Sequence, residues 1–432
     1  MPLVRPFRAL RYSPEVVPDL GAVVAPPYDV IGPEEQQSLL ARSPWNVVRL
    51  DLPPIVPGED PDERYRRAAR TLTEWRSDGT LRRDPRPSLY AYEQSFTLPG
   101  SETVHVRRGL FGRLVLEPFG PDSGVRPHER TLSGPKEDRY RLLRATGVNT
   151  SPVVVLYEDP SGAAARWLDD VTSAPSAADV TDDAGVRHRL WVAEPGDIAD
   201  RVGAAPVTIL DGHHRYETAL RYRDERMHGA PPEAEPAWAQ ILALFLEPIA
   251  GPVAVLATHR VVRGLGDDGV RTLVDGASAL FEVRRGVAAD ELGRIFSPAA
   301  GAPGGDGRFG LWTRQGGAIL HARRPAFEGL LPAGGPAVRR LDVTLLGAAL
   351  ASLAGIDAAA VDAGQRIAYT KDAAEAIAWV DAGHDGADAA FLLDPTPAAE
   401  IAAVAADGDV MPQKSTYIYP KALTGLLINP LE

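Results

Sequence analysis

The chain contains no cysteine among its 432 residues. Disulfide bonds, thiolate metal ligands and a cysteine nucleophile are therefore excluded. Apolar runs are short, and none approaches the roughly 20 residues that a transmembrane helix requires. Residues 1–6 also lack the apolar core of a secretory signal. These absences predict a cytoplasmic protein with no membrane partner.

Basic residues are fewer than acidic ones. The chain has 46 Lys and Arg and 58 Asp and Glu, which gives a net charge of −12. Such a chain repels nucleic acid, so no direct nucleic-acid partner is expected, although a local basic site is compatible with this balance. The Walker sequence G-x-x-x-x-G-K-[ST] is missing, which excludes the ordinary P-loop mechanism. The zinc-binding pair H-E-x-x-H is missing too.

The apolar patterns alternate between strands and helices. Strand patterns at 88–98 and 103–116 flank a turn at 99–102 that contains proline and glycine, which predicts a β-hairpin. A second hairpin is predicted at 308–322, with its turn at 314–317. Further strands are predicted at 151–158, 187–193, 206–210, 240–246, 253–257, 366–370 and 387–393, and helices at 61–79, 216–226, 371–381 and 396–405. This alternation predicts a mixed α/β (α+β) fold.

The length allows two or three hydrophobic cores. We expect an N-terminal α/β region with a hairpin at 1–130, a central region at 131–265 and a C-terminal α/β region at 266–432, or one compact unit made of all three. The apolar runs 240–246 and 253–257 predict buried strands, with buried helix as the alternative. The glycine-rich segment 301–307 predicts a flexible surface loop.

The run Asp-Gly-His-His-Arg at 211–215 is the strongest candidate for a functional site. It lies between a predicted strand and a predicted helix, where unpaired backbone N–H groups and the positive end of the helix dipole favour an anion. Two histidines and an arginine add charge and proton-transfer capacity. The simpler interpretation is a capped helix, with Asp211 as the N-cap and the histidines exposed. The pattern favours a phosphate site.

A second candidate is the charged segment 126–141. An adjacent His128 and Glu129 offer a general base or metal ligands, and the cations Lys136 and Arg139 can meet phosphates. The alternative is a solvated loop, because runs of charged residues usually lie in solvent. A third candidate is 411–417, in which Lys414 either closes over an anion or belongs to a terminal strand with its polar side in water. Weaker pocket or turn candidates are Tyr28, Asp29, Asn46, Arg49 and Asp51.

Five motifs taken together resemble the bacterial and archaeal family known as domain of unknown function 1015, over nearly the whole chain. They are Ala-Pro-Pro-Tyr-Asp-Val-Ile at 25–31, His-Glu-Arg-Thr at 128–131, Asp-Gly-His-His-Arg-Tyr-Glu-Thr-Ala at 211–219, Thr-His-Arg at 258–260 and Met-Pro-Gln-Lys-Ser-Thr-Tyr at 411–417. Their combination and order are highly specific.

The turn at 211–215 is also similar to that of ParB/sulfiredoxin-like domains, especially the free-serine kinases. This resemblance implies a ParB/sulfiredoxin-like nucleotide-binding core, extended by additional α/β elements and hairpins, in which the turn holds nucleotide phosphates. It does not extend to the catalytic carboxylate of those kinases. Glu129 is our candidate for that role on chemical grounds alone.

The leading hypothesis is therefore phosphoryl transfer from ATP or ADP, with Mg²⁺, to a small hydroxylated metabolite, plausibly an amino acid such as serine. Glu129 would take the hydroxyl proton, oriented by His128, and a histidine of the turn would stabilise the transferred charge. The candidate catalytic residues are Glu129, His128, His213 and His214; the candidate cofactor-binding residues are Asp211, Gly212, Arg215, Lys136, Arg139 and Lys414; the candidate Mg²⁺ ligands are Asp211 and Glu129.

Two other classes of function remain open. One is a metal-dependent hydrolase that activates water with the His128/Glu129 and His213/His214 groups. Against it, adjacent histidines at a helix start project in different directions. The other is a non-catalytic nucleotide-sensing module that couples ligand binding to a protein partner. All three depend on whether segments 128–131 and 211–215 meet in the folded chain.

Overall fold

The computed structural model describes residues 4–129, 133–227, 236–298, 304–362, 364 and 366–432. Its strands are β1 Val4–Arg5, β2 Leu10–Tyr12, β3 Leu81–Arg83, β4 Leu89–Thr97, β5 Val104–Val115, β6 Val125–Arg126, β7 Val148–Asn149, β8 Val153–Leu156, β9 Ala178–Thr181, β10 Arg187–Ala193, β11 Val207–Asp211, β12 Gln240–Leu246, β13 Ala254–Leu256, β14 His259–Arg263, β15 Phe281–Val287, β16 Arg308–Thr313, β17 Gly316–Ala322, β18 Ile367–Thr370, β19 Ala387–Leu393, β20 Tyr417–Tyr419 and β21 Asn429–Pro430.

Its helices are α1 Pro33–Arg42, α2 Val48–Asp51, α3 Glu63–Ser77, α4 Ser133–Thr146, α5 Ala163–Thr172, α6 Ile198–Val202, α7 His213–Met227, α8 Gly266–Leu280, α9 Ala289–Ile295, α10 Pro336–Arg340, α11 Asp342–Ala354, α12 Ala358–Asp362, α13 Ala373–Ala382 and α14 Ala398–Ala406. The predicted mixed α/β class is confirmed. Within the described residues, no helix combines the length and apolar composition needed to span a bilayer.

A nine-stranded sheet forms the larger layer. Its strand order is β6-β11-β8-β12-β5-β4-β10-β9, and β1 pairs with β5. The pairs β6–β11 and β8–β12 are parallel, whereas the other pairs are antiparallel. Every residue of β12 is buried, because this apolar strand lies inside the sheet with both faces covered. Helix α7 packs against α4, and α4 packs against α3.

A six-stranded antiparallel sheet, ordered β15-β17-β16-β19-β14-β18, forms the second layer. Its strand β19 is also fully buried. The small side chains of Ala387 and Ala390 allow helix α13 to pack closely on it through Ala376 and Ile377. One hydrophobic cluster includes residues from both sheets, among them Leu244 of β12 and Phe391 of β19, so the two sheets share a core.

The last part of the chain pairs with several segments that are distant in sequence. Strand β20 pairs with β13, and β21 pairs with β7. Isolated bridges connect Met411 with Glu129, Thr424 with Ala25, and Ile428 with Leu10. The C-terminal segment therefore runs beside the N-terminal motif and the 128–129 motif, which are distant in sequence.

Most predicted elements are confirmed, including both hairpins, but three details differ. The turn of the second hairpin is shorter, because Gly316 already pairs with Thr313. Strand β13 is mostly half-buried, with only Leu256 buried, since β20 is the strand that pairs with it. Of the predicted flexible loop, residues 301–303 lie outside the described residues, while the backbone N–H groups of Gly305 and Gly307 donate to the carboxylate of Asp342 at 3.0 and 2.9 Å.

Strands from the predicted regions 1–130 and 131–265 occur in the same nine-stranded sheet, and the six-stranded sheet begins with β14 at His259. The division into three regions stays a prediction.

Candidate functional site

One cavity brings together the motifs that the sequence singled out. Its volume is about 600 Å³. The motifs at 28–30, 210–215 and 413–417 contribute to its wall, as do Glu129 and Thr258. The complete lining consists of Tyr28, Asp29, Val30, Glu129, Leu210, Asp211, Gly212, His213, His214, Arg215, Thr258, Tyr369, Thr370, Lys371, Gln413, Lys414, Thr416, Tyr417 and Lys421. Segments 128–129 and 211–215 therefore share one site, while residues 130 and 131 lie outside the described residues.

The 211–215 turn connects the end of β11 to the start of α7. The register between β11 and β8 shifts between Ile209 and Asp211, and such a bulge redirects the side chains that follow it. Gly212 has a φ of +89°, a conformation that glycine adopts without steric cost. The first helical hydrogen bond is donated by the Tyr216 N–H to the Gly212 carbonyl at 3.0 Å. The N–H groups before Tyr216 lie at the helix start, where backbone N–H groups point outward along the helix axis.

Asp211 is not a helix cap but the centre of a buried ion cluster. One carboxylate oxygen accepts a hydrogen bond from Nζ of Lys421, and the other accepts from Nη2 of Arg215 at 2.5 Å. Burial alone would raise the pKa of Asp211, but these two cations outweigh it and hold the pKa well below its usual range. Asp211 is therefore ionised. Both oxygens are already engaged, so the predicted role of Asp211 as a Mg²⁺ ligand competes with these ion pairs.

Arg215 lies beneath the turn and is almost completely enclosed. Its guanidinium donates to the carbonyl of Pro152 as well as to Asp211. A Cβ atom at Gly212 would lie only 3.0 Å from Nε of Arg215, so glycine is required here for packing as well as for φ. In this geometry Arg215 orients Asp211 and supports the turn, although we predicted that its guanidinium would hold a phosphate.

Glu129 is another carboxylate of the cavity lining. Its Oε1 accepts a hydrogen bond from the backbone N–H of Lys414 at 2.9 Å. Glu129 also forms a parallel bridge with Met411, which fixes the two motifs side by side. Burial raises the pKa of Glu129, although the contact with Lys414 opposes that shift. A carboxylate with a raised pKa is a stronger base, and this is the property that the predicted general base needs.

His128 lies behind the cavity wall. Its buried ring is held by the Ile209 carbonyl, 2.5 Å from Nδ1, and by the Thr416 hydroxyl, 3.0 Å from Nε2. Since a carbonyl only accepts, Nδ1 carries the proton and Nε2 accepts from Thr416. Burial lowers the pKa of His128 to about 4. The neutral ring thus joins the 128–129 segment to β11 and to the C-terminal segment.

His213 and His214 both line the cavity but differ in their surroundings. Nε2 of His213 accepts from the backbone N–H of His128 at 3.2 Å, and the two imidazole rings meet edge to face with their centroids 4.6 Å apart. Burial lowers the pKa of His213 well below its ordinary value. The pKa of half-buried His214 is also lowered by burial, with Glu217 opposing the shift. Neutral imidazoles can donate hydrogen bonds to an anion but add no positive charge.

The burial of neutral His128 predicts a specific pH dependence of stability. Its pKa is 6.5 when unfolded and about 4 when folded, so protons favour the unfolded state and stability falls as the pH drops from 6.5 to 4. The contribution of His128 over this range is about 3 kcal/mol. Replacing His128 by Gln should reduce the pH dependence of the unfolding free energy by one proton, measured by chemical denaturation. The exposed His321→Gln variant should leave it unchanged, and an unchanged His128→Gln slope would contradict the assignment.

Two predicted binding residues do not line this cavity. Nζ of Lys136 forms an ion pair with Glu217 at 2.8 Å. Arg139 lies over the ring of Tyr28, 4.1 Å from its centroid, and donates to the Asp51 carbonyl at 2.5 Å and to Asp138. Their cationic groups are thus held by neighbours that come from segments 28, 51 and 217, which the local sequence around 136–139 does not reveal.

The most important residue that sequence reasoning missed is Lys421. It forms an ion pair with Asp211. Its ammonium lies 4.7 Å from the centroid of the Tyr417 ring, and the ammonium of Lys371 lies 4.0 Å from the same centroid. A compositional signal could have found both lysines. The chain has only four lysines, Lys136, Lys371, Lys414 and Lys421, and three of them line this cavity.

Arg260 of the Thr-His-Arg motif is a further buried cation near the cavity. It donates to the carbonyl of Thr258 at 2.5 Å. Burial lowers its pKa to about 10, while Tyr369 and Glu129 oppose the shift. Among the described residues, no three His, Cys, Asp or Glu side chains are grouped in a way that would hold a metal ion.

A family model described as "Protein of unknown function (DUF1015)" matches residues 4–344. The chain therefore belongs to this family, as its motifs predicted. No curated protein matches the sequence.

The comparison with solved structures found several matches of low identity. A free serine kinase in complex with AMP has a TM-score of 0.35 and 14% identity, covering 72% of this chain and 86% of that chain. A conserved hypothetical protein from Pyrococcus furiosus has a TM-score of 0.34 and 15% identity, covering 72% and 89%. SbnI with a C-terminal truncation from Staphylococcus aureus has a TM-score of 0.35 and 12% identity, covering 72% and 85%.

Proposed function

We propose that this protein is a small-molecule kinase that transfers a phosphoryl group from ATP or ADP to a hydroxylated metabolite in the cytoplasm, plausibly an amino acid such as serine. One observation carries the proposal: the Gly212 turn with its Asp211–Lys421 cluster and the carboxylate of Glu129 line the same cavity. Phosphoryl transfer needs positioned positive charge for the phosphates and a base for the acceptor, and little covalent chemistry from the protein.

The charge of the cavity supports a phosphate ligand. Four basic side chains, Arg215, Lys371, Lys414 and Lys421, line it against three acidic ones, Asp29, Glu129 and Asp211. This local excess occurs in a chain whose net charge is −12. The N–H groups of the turn and the dipole of α7 favour an anion at the same place. Lys421 and Lys371 would face the phosphates, and Arg215 would keep Asp211 and the turn in position.

Glu129 would act as the general base. When the acceptor hydroxyl attacks the phosphoryl group, its proton passes to the Glu129 carboxylate, while the bond between the phosphoryl group and the nucleotide breaks. The buried ring of His128 and the backbone of Lys414 hold Glu129 in place for this transfer. His213 and His214 would donate hydrogen bonds to the transferred group.

Mg²⁺ belongs to the proposal as the ion that accompanies a nucleotide and neutralises its phosphate charge. Asp211 does not suit this ion, because Lys421 and Arg215 occupy its oxygens. Glu129, which we also predicted as a ligand, must stay free of the ion if it is to take a proton. Asp29 is the remaining carboxylate of the cavity wall, and it would hold the ion together with the phosphates.

The acceptor assay tests the proposal. The protein is incubated with ATP or ADP, Mg²⁺ and a pool of hydroxylated metabolites that includes serine, and phosphorylated products are followed by mass spectrometry. We expect a product that requires nucleotide. Nucleotide binding without turnover would instead support a nucleotide-sensing module. Turnover that needs no nucleotide and stops with a chelator would support a metal-dependent hydrolase, and absence of both binding and turnover would refute the kinase.

A further inference from the structure

Arg107 and Gln94 form a buried pair beneath the segment that carries Lys421. They face each other on β5 and β4, and only 2% and 1% of their surfaces are exposed. The Arg107 guanidinium donates to the carbonyls of Tyr419 at 2.9 Å and Pro420 at 2.6 Å, and also to Oε1 of Gln94. Nε2 of Gln94 donates to the carbonyl of Lys421 at 2.9 Å. The pair thus holds three consecutive carbonyls.

The charge of Arg107 is held in an unusual way. Burial lowers its pKa to about 10, and the group that opposes this shift is the phenol of Tyr92, not a carboxylate. A buried cation held mainly by neutral oxygens contributes little to stability, because the cost of removing its charge from water is not recovered by an ion pair. The position that Arg107 gives to the backbone of Tyr419 and Pro420 therefore explains this buried arginine better than a contribution to stability does.

We propose that Arg107 is a positioning residue for Lys421, and that it places the Lys421 ammonium between Asp211 and the cavity. Lys421 binds Asp211 through its side chain while Arg107 and Gln94 hold its backbone and that of the two residues before it. A lysine has four rotatable bonds, so a fixed backbone is needed if its ammonium is to meet a ligand in one geometry. That Lys421 meets a nucleotide phosphate rests on the proposed function.

Arg113 provides a matched control on the same strand. Like Arg107, it donates to a carbonyl of the C-terminal segment, that of Pro430, and to a side-chain amide oxygen, that of Asn429, both at 2.6 Å. Burial also lowers its pKa to about 10. Arg113 differs from Arg107 in that it contacts residues well beyond Lys421. Replacing either arginine should therefore cost a similar amount of stability, but only the loss of Arg107 should affect Lys421.

The first test needs no nucleotide. An amine-reactive reagent is applied to the full-length protein, and the modification rate of each of the four lysines is read by mass spectrometry. Arg107→Met should increase the rate at Lys421 at least five-fold and leave Lys136 unchanged, whereas Arg113→Met should leave both unchanged. Gln94→Met removes the bond to the Lys421 carbonyl and the contact with Arg107, but it leaves Arg107 to bind the carbonyls of Tyr419 and Pro420. It should give a smaller increase and serves if Arg107→Met does not fold. Unchanged Lys421 rates in both Arg107→Met and Gln94→Met would overturn the proposal.

The second test connects Arg107 to nucleotide binding. ATP affinity is measured for Arg107→Met, Lys421→Met and the double variant. If Arg107 acts through Lys421, Arg107→Met lowers affinity at least five-fold in the wild-type background and less than two-fold in the Lys421→Met background. Equal losses in both backgrounds would indicate a general structural role and contradict the proposal. A wild-type protein that binds no ATP would refute the proposed function, while lysine modification would still decide the role of Arg107.

Discussion

Replacing Glu129 by Gln should lower turnover by about 10²- to 10⁴-fold, the range contributed by a positioned general base. The amide keeps the size of the side chain and can still accept a hydrogen bond from the Lys414 N–H, but it cannot take the acceptor proton. Nucleotide affinity should stay within two-fold, because the base acts on the acceptor and not on the phosphates. Turnover is measured with the acceptor found by mass spectrometry, and affinity by calorimetry.

The pH profile supplies a second check on Glu129. A base works only when it is deprotonated, so turnover should fall as the pH falls through the pKa of Glu129. Burial raises that pKa above its ordinary value of 4.5, and the acid limb of the profile should lie above 4.5. The exposed Glu137→Gln variant should retain both the rate and the profile. A Glu129→Gln protein with full turnover would remove Glu129 as the base.

Replacing Lys421 by Met should weaken ATP binding about 10- to 100-fold, which corresponds to the loss of one charged hydrogen bond worth about 1.5–3 kcal/mol. It should also lower the free energy of unfolding by about 3 kcal/mol, since breaking a buried ion pair leaves a charge without one of its partners. Here that charge is the carboxylate of Asp211, which keeps only Arg215. Affinity and stability are measured on the same preparations.

A double variant separates the two effects of Lys421. Lys421→Met combined with Asp211→Asn removes both charges of this pair, so its loss of stability should be smaller than the sum of the two single losses, while ATP affinity stays low. Stability should still lie below that of the wild type, because Arg215 also loses its carboxylate partner. Because the folded-state pKa of Asp211 lies below 3.8, its stabilisation is complete above pH 3.8 and is lost as the pH falls through the folded pKa. In Lys421→Met the folded-state pKa should lie closer to 3.8, so the loss should be smaller and should be complete at a higher pH. Wild-type ATP affinity in Lys421→Met would contradict the proposed phosphate contact.

The sequence predicted the fold best where the pattern of apolar residues favours one type of secondary structure. The hairpin β4–β5 follows from two strand patterns around a turn, and β19 follows from its apolar run. The apolar run of β12 predicted a buried strand but left buried helix as the alternative. The turn at 211–215 was equally clear, because the requirement for glycine before a helix start is local. Family motifs then identified three segments whose residues 28–30, 128–129 and 413–417 lie at the same site as the turn.

The partners within the site were less accessible, because they depend on tertiary contacts. Arg139 was predicted to bind phosphate, yet Tyr28, Asp51 and Asp138 hold its guanidinium. The local sequence predicts that Asp211 is a helix N-cap. In the structure its carboxylate instead forms an ion pair with Lys421, which is 210 positions away. No local pattern encodes such a pair. The scarcity of lysine in an arginine-rich chain was a signal that could have drawn attention to Lys421, but composition does not say where a residue lies in the fold.

The central claim is that a nucleotide places its phosphates among the lysines of the cavity. The most direct measurement uses an acyl-phosphate derivative of ATP, which transfers its acyl group to a lysine beside the bound phosphates. With only four lysines in the chain, the modified residue is identified unambiguously by mass spectrometry. We predict modification of Lys371, Lys414 or Lys421 that excess ATP prevents. Modification of Lys136 alone, or labelling of the cavity lysines that ATP does not prevent, would contradict the claim.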